Sequence, residues 1–247
     1  MTDDAIPAAT LVLWRDGDEG PDILVVERSA RMAFAAGAIV FPGGRVDPAD
    51  RQLAMSLGRA EEAAKVTAIR ETIEETGVAA GLKGRIDAAA GLEIQAALHS
   101  GENFAKLLDA RGLGLDLDAP IPFARWMPAF KQPRKFDTLF FLMQAPPGSW
   151  IPHPQEGECV AAEWASPAEL LDRIARGEAS AIFPTKRNLE RLAQHPRFES
   201  MLADARAHSL ETIIPWVEEI GGESHVRIPE GRGYPVISEP LATAFRA

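Results

Sequence analysis

The run Ala68-Ile69-Arg70-Glu71-Thr72-Ile73-Glu74-Glu75-Thr76-Gly77-Val78 constrains this chain more than any other stretch. At about 100° per residue, Val66, Ile69 and Ile73 make an apolar stripe, and Glu71, Glu74 and Glu75 fall in a narrow sector on the opposite side. That pattern predicts an amphipathic helix from Glu61 to Thr76, closed by Gly77. Three carboxylates on one face repel one another unless a positive charge lies against them. A Glu-rich helix face is most often plain solvated surface. The other reading is a ligand set for a hard divalent cation, which prefers oxygen.

What lies upstream favours the second reading. Ala38-Ile39-Val40-Phe41 is predicted as a strand running into Pro42-Gly43-Gly44, a tight-turn signal. Adjacent glycines let backbone carbonyls come close to a metal or a phosphate, because no Cβ intervenes. A glycine turn followed by a carboxylate helix resembles the Nudix box. That pattern is Gly, five residues, Glu, seven residues, Arg-Glu, an aliphatic residue, any residue, Glu-Glu, any residue, Gly and an aliphatic residue. Arg70-Glu71, Glu74-Glu75, Gly77 and Val78 match its second half, and Glu62 has the spacing of its first Glu. Thr72 stands where an aliphatic residue is expected, and Ser56 where the first Gly is. The plausible glycine, Gly44, lies about a dozen residues too far from Arg70, so the box reads as interrupted, roughly from Val46 to Leu57.

An interrupted box resembles the branch that contains the peroxisomal coenzyme A diphosphatase. The segments Glu27-Arg28-Ser29, Val40-Phe41-Pro42-Gly43-Gly44-Arg45-Val46-Asp47, Arg125-Trp126 and Arg134-Lys135-Phe136-Asp137-Thr138-Leu139-Phe140-Phe141 resemble it too. The resemblance covers most of Ala8 to about Leu192.

The 247 residues suffice for one large domain or two small ones, and 46% hydrophobic and 25% charged residues suit an ordinary globular protein. A formal charge of −10 disfavours non-specific binding to nucleic acid or anionic membrane. Cys159 is the only cysteine, so an intramolecular disulfide is impossible. The acidic N-terminus lacks a signal-peptide pattern, no apolar run reaches about 18 residues, and Phe245-Arg246-Ala247 is no peroxisomal address. A cytoplasmic location is expected.

Strands are predicted over Thr10–Trp14, Ile23–Glu27, Ala38–Phe41, Phe123–Met127, Thr138–Gln144 and Cys159–Trp164. Besides the box helix, helices are predicted over Asp50–Leu57, Leu92–Leu113, Pro167–Arg176, Lys186–Gln194 and Phe198–Ala207. The tail, Glu211 to Arg246, shows a β-like Thr212-Ile213-Ile214 among turns. Interleaved strands and helices predict a sheet covered on both faces. The resemblance implies an α/β/α sandwich around a mixed β-sheet with extra helical insertions. A single domain spanning 1–247 is expected, with a core at about 8–192, a helical insertion at about 89–120 and a C-terminal extension at about 193–247.

The resemblance also implies chemistry, namely metal-dependent hydrolysis of a pyrophosphate bond. Glu71 and Glu75 are the expected principal ligands of Mg²⁺ or Mn²⁺, with Glu74 as a ligand or its close support and the Gly44 carbonyl completing a shell. Arg70 is expected to hold a box carboxylate in place. Glu158, in Glu156-Gly157-Glu158, is the candidate general base, and Glu74 is a second. Arg28, Arg45 and Arg134 are candidates for gripping phosphates, and Phe34 and Phe136 for stacking on a base. His153 has no evident role. The expected substrate is coenzyme A or acyl-coenzyme A. ADP-ribose, NADH and dinucleoside polyphosphates are alternatives, and a nucleotide-sensing module without catalysis is a second alternative. No nucleic-acid or membrane partner is expected, and a homodimer is a candidate assembly.

Overall fold

Alternation along one long strand sets the layers. In β1 (Ile6–Gly17), Leu11 and Leu13 point to one face of the sheet and Val12 and Trp14 to the other, and all four are buried. The computed structural model describes residues 5–17, 20–31, 35–128 and 135–244. After β1 come β2 (Gly20–Arg28), β3 (Ile39–Val40), β4 (Gly43–Arg45), α1 (Pro48–Ser56), a single 3-10 turn (Ala60–Glu62) and the box helix α2 (Ala63–Thr76). Next are β5 (Leu82–Lys83), α3 (Ala88–His99), α4 (Phe104–Arg111), β6 (Gly114–Leu115), β7 (Ile121–Trp126), β8 (Phe136–Gln144) and β9 (Cys159–Ala165). The chain closes with α5 (Pro167–Ala175), α6 (Phe183–Leu192), α7 (Phe198–Ala207), β10 (Trp216–Ile220), β11 (Glu223–Arg227), β12 (Ser238–Pro240) and α8 (Leu241–Ala244).

The main sheet is mixed. Its order is β3-β2-β1-β8-β7, with β4 also on β1 and β9 also on β2. β1 and β8 run parallel, from Ile6 opposite Phe136 to Trp14 opposite Gln144, while β1 and β2 form the expected antiparallel hairpin. Leu11 and Leu13 pack with Ala68, Val78, Phe141, Met143 and Trp150, under α2. Val12 and Trp14 pack with Leu170, Leu189, Leu192 and Met201, under α5, α6 and α7. The result is an α/β/α sandwich. A further apolar layer joins Val66, Ile69 and Ile73 of α2 to Ile94, Leu98, Phe104 and Leu107 of α3 and α4. The stripe opposite the acidic face is therefore covered by the helical insertion.

Several boundaries differ from the expectation. The predicted helix over Leu92–Leu113 is two helices, because Gly101 takes a φ of 85° and Asn103 accepts from the Lys106 N–H to start α4. The Gly-Gly turn is itself a short strand, β4, paired antiparallel to Ala8, Ala9 and Thr10 of β1. Thr212-Ile213-Ile214 contributes only one bridge, Ile213 to Trp126. The strands of the tail lie later, and β10 to β12 form their own small sheet. The tail is nonetheless bound into the main core, since Ile213, Val226, Ile228, Tyr234 and Ala244 belong to the same apolar cluster as Val12 and Trp14. Among the described residues, no helix is long and apolar enough to cross a membrane.

Candidate active site

Strand β4 lies directly against the acidic face of α2. Gly44 is packed so closely onto the Glu71 carboxylate that a Cβ there would overlap it. The neighbouring Gly43 donates its N–H to Glu75 Oε2 at 3.0 Å. These two glycines are required by close approach rather than by a special backbone angle. The far end of α2 stops at Gly77, whose φ of 70° is the left-handed value a helix terminus favours. Thr72 is buried at the position where an aliphatic residue was expected, and its hydroxyl donates to the Ala68 carbonyl at 2.7 Å, which satisfies it within the helix.

Arg70 is the hub of the face. Its Nη2 donates to Glu71 Oε1 and its Nη1 to Glu74 Oε2, both at 2.8 Å. Its third partner is Asp50 of α1, which takes Nε at 2.8 Å and Nη2 at 3.0 Å in a two-pronged pair. Asp50 is 2% exposed and also accepts from the Thr67 hydroxyl at 2.8 Å and the Asp47 N–H at 3.1 Å.

By spacing from Arg70, Glu62 is the expected first acid of the box, and Asp50 is expected only as the start of a helix. The structure corrects that. Glu62 bonds Arg59 and Lys65, away from Arg70, because counting back from Arg70 ignores the inserted residues. Counting forward from Gly44 finds the right acid, since five residues separate Gly44 from Asp50, as in the family pattern. The extra residues therefore fall after Asp50, not from Val46 as expected.

Among the described residues, carboxylates at this face outnumber cations. Burial raises the Glu71 carboxyl to about 7, against the opposing pull of Arg70. Burial also raises Glu75 well above the usual carboxylate range, and the Glu71 charge adds to the effect. Arg28 Nη1 stands 3.9 Å from Glu75 Oε1, and the Glu158 charge also acts on Glu75. Asp50, Glu71, Glu74, Glu75 and Glu158 thus outnumber Arg28 and Arg70. Carboxylates that Arg70 and Gly43 hold on a half-buried to buried helix face, in excess of the positive charge among the described residues, fit a hard divalent cation. They do not form a ready-made cage. Among the described residues, no three acidic, histidine or cysteine side chains stand together in that way. Arg70 takes Glu71 and Glu74, while Gly43 takes Glu75.

The other expected residues are unevenly placed. Arg45 follows Gly44 but is 70% exposed in its side chain and pairs with Asp47 at 2.8 Å. Phe136 opens β8, half-buried. Glu156 and Glu158 are exposed in the turn before β9. His153 contributes backbone, its N–H meeting the Thr76 carbonyl at 2.8 Å. Arg134 and Phe34 lie outside the described residues.

A family model described as the NUDIX domain matches residues 5–93. Among solved structures, a NUDIX hydrolase from Alicyclobacillus acidocaldarius is 30% identical with a TM-score of 0.68, covering 82% of this chain and 97% of its own. A MutT protein from Methanosarcina mazei Go1 is 15% identical, covering 78% of this chain and 96% of its own, with a TM-score of 0.42. A C. elegans Ap4A hydrolase is 14% identical, covering 81% of this chain and 93% of its own, with a TM-score of 0.39. These last two likenesses are too remote to bear on substrate. No curated protein matches the chain.

Proposed function

The chain belongs to the Nudix family and is a pyrophosphohydrolase, and from that premise we propose that it cleaves coenzyme A or acyl-coenzyme A into 3′,5′-ADP and (acyl-)phosphopantetheine. The observation that carries the hydrolytic site is the pair of carboxylates, half-buried Glu71 and buried Glu75, pressed against Gly43-Gly44 with less positive than negative charge around them among the described residues. In this reading Glu71, Glu75 and the Gly44 carbonyl hold Mg²⁺ or Mn²⁺, with Glu74 as a further ligand or support. Such an ion, when bound, screens the pyrophosphate oxygens and acidifies a coordinated water.

The protein's own groups do the rest. Arg70, anchored by Asp50, keeps Glu71 and Glu74 in fixed rotamers. Glu158 takes a proton from the attacking water, with Glu74 as the alternative base. The water oxygen bonds to phosphorus, and the bridging oxygen leaves with its electron pair, giving two phosphomonoesters. Arg28, beside Glu75, and Arg45, at the end of β4, would steady the substrate phosphates, as would Arg134.

The support for coenzyme A is the interrupted box, with α1 between Gly44 and Arg70, together with the Phe-Pro-Gly-Gly and Arg-Lys-Phe-Asp-Thr segments. Coenzyme A, ADP-ribose, NADH and dinucleoside polyphosphates, assayed at equal concentration with Mg²⁺, test the assignment. Coenzyme A should give the highest kcat/KM. Negligible turnover of coenzyme A beside fast hydrolysis of ADP-ribose or another member would overturn the substrate and leave the chemistry standing.

A further inference from the structure

Helix α3 is no part of the box, yet it is built onto the end of the box helix. A Cβ on Gly91 would overlap the Gly77 carbonyl oxygen and lie 2.9 Å from the Trp150 ring, so the two segments cross at glycines. This close approach brings Gln95, which is buried, within reach of two backbone carbonyls. Its Nε2 donates to the Glu74 oxygen at 3.1 Å and to the His153 oxygen at 2.9 Å. His99 Nε2 lies 2.8 Å from the same Glu74 oxygen.

The last carbonyls of a helix have no partner inside it. Here they serve as a dock. The His153 N–H takes the Thr76 oxygen at 2.8 Å, and the Gln155 N–H takes the Glu75 oxygen at 3.1 Å. The segment from Trp150 to Glu158 is thereby held on the end of α2. Its far end is pinned where the Ser29 N–H donates to the Glu158 carbonyl at 2.7 Å. Gln95 bridges the two bodies, with one amide nitrogen serving one carbonyl on each. An apolar side chain of the same length would keep the packing and leave the His153 carbonyl short of its side-chain donor, while His99 stays on the Glu74 carbonyl.

We propose that Gln95 is a positioning residue, which sets where the Glu158 carboxylate stands relative to Glu75. The inference rests on Glu158 being the general base. Its test is a kinetic cycle of Gln95→Met, Glu158→Gln and the double variant on the substrate turned over fastest, with Gln95→Glu as a second probe that keeps shape and removes the donors. Glu158→Gln should lower kcat about 100-fold. Gln95→Met and Gln95→Glu should each lower kcat about ten-fold with KM changed by less than about two-fold. The double variant should be no slower than Glu158→Gln, because a residue that acts through Glu158 has nothing left to position. A Glu158→Gln enzyme at the parental rate overturns the reading of Glu158 itself. An impaired Glu158→Gln with a full further loss on adding Gln95→Met overturns the positioning role alone. So does an unchanged rate in both Gln95 variants, or unfolding of both.

Discussion

Replacing Asp50 by asparagine removes one negative charge and almost no volume from the centre of the box. The carboxylate now meets Arg70 Nε and Nη2 at 2.8 and 3.0 Å, the Thr67 hydroxyl at 2.8 Å and the Asp47 N–H at 3.1 Å. Asparagine retains one acceptor and turns an NH₂ group toward another donor. With Asp50 2% exposed, water does not compensate. Breaking one side of a buried ion pair costs about 3 kcal/mol or more. In a chain of this length that corresponds to a fall in Tm of roughly 6–12 °C. Hydrolysis should fall as well, since Arg70 freed from Asp50 no longer fixes Glu71 and Glu74. Glu62→Gln is the control. Glu62 bonds Arg59 and Lys65 outside the box, so its loss should cost about 1 kcal/mol at most. Denaturant unfolding and steady-state rates of the two variants decide the matter. Equal stability losses, or a larger rate loss in Glu62→Gln, would refute the assignment of Asp50 as the acid that clamps Arg70.

Other outcomes follow from the same geometry. Gly44→Ala drives a methyl into the Glu71 carboxylate and should lower kcat about 100-fold while the circular dichroism stays native. Glu75→Gln should abolish most turnover yet raise stability by about 1 kcal/mol without added divalent cation, because it relieves a buried charge that Glu71 opposes; a destabilised variant would contradict this. Tyr234→Phe should cost about 1–3 kcal/mol in denaturant unfolding, since the Tyr234 hydroxyl accepts from Trp126 Nε1 at 3.0 Å and donates to Asn188 Oδ1 at 2.8 Å in the buried core. If the tail folded separately, that substitution would leave the main unfolding transition unmoved.

The legible and illegible parts of this molecule differ for physical reasons. The box helix was readable because its apolar and acidic residues repeat at helical spacing and Gly77 ends it. The six strands of the main sheet predicted from apolar runs all exist, and β8 in particular is flanked on both sides by partners. Strand β4 was not readable, because two glycines carry no side-chain pattern and their pairing with β1 comes from the fold. Strand β10 was missed because every one of its residues is exposed, which erases the alternation that marks a half-buried strand. Asp50 was hidden by the direction of counting, although its distance from Gly44 carried the signal. The tie between Gln95 and the Glu158 loop joins elements far apart in sequence through backbone carbonyls, which no residue pattern records.

The central claim is that Glu71, seated on Gly44, and Glu75, bonded to Gly43, hold a catalytic divalent cation. Mn²⁺ binding to the parental protein and to Glu75→Gln, followed by electron paramagnetic resonance of the free ion, tests it most directly. The account predicts a saturable site in the parent that is weakened at least about ten-fold in the variant, in step with lost hydrolysis. Identical binding curves for the two proteins would contradict it.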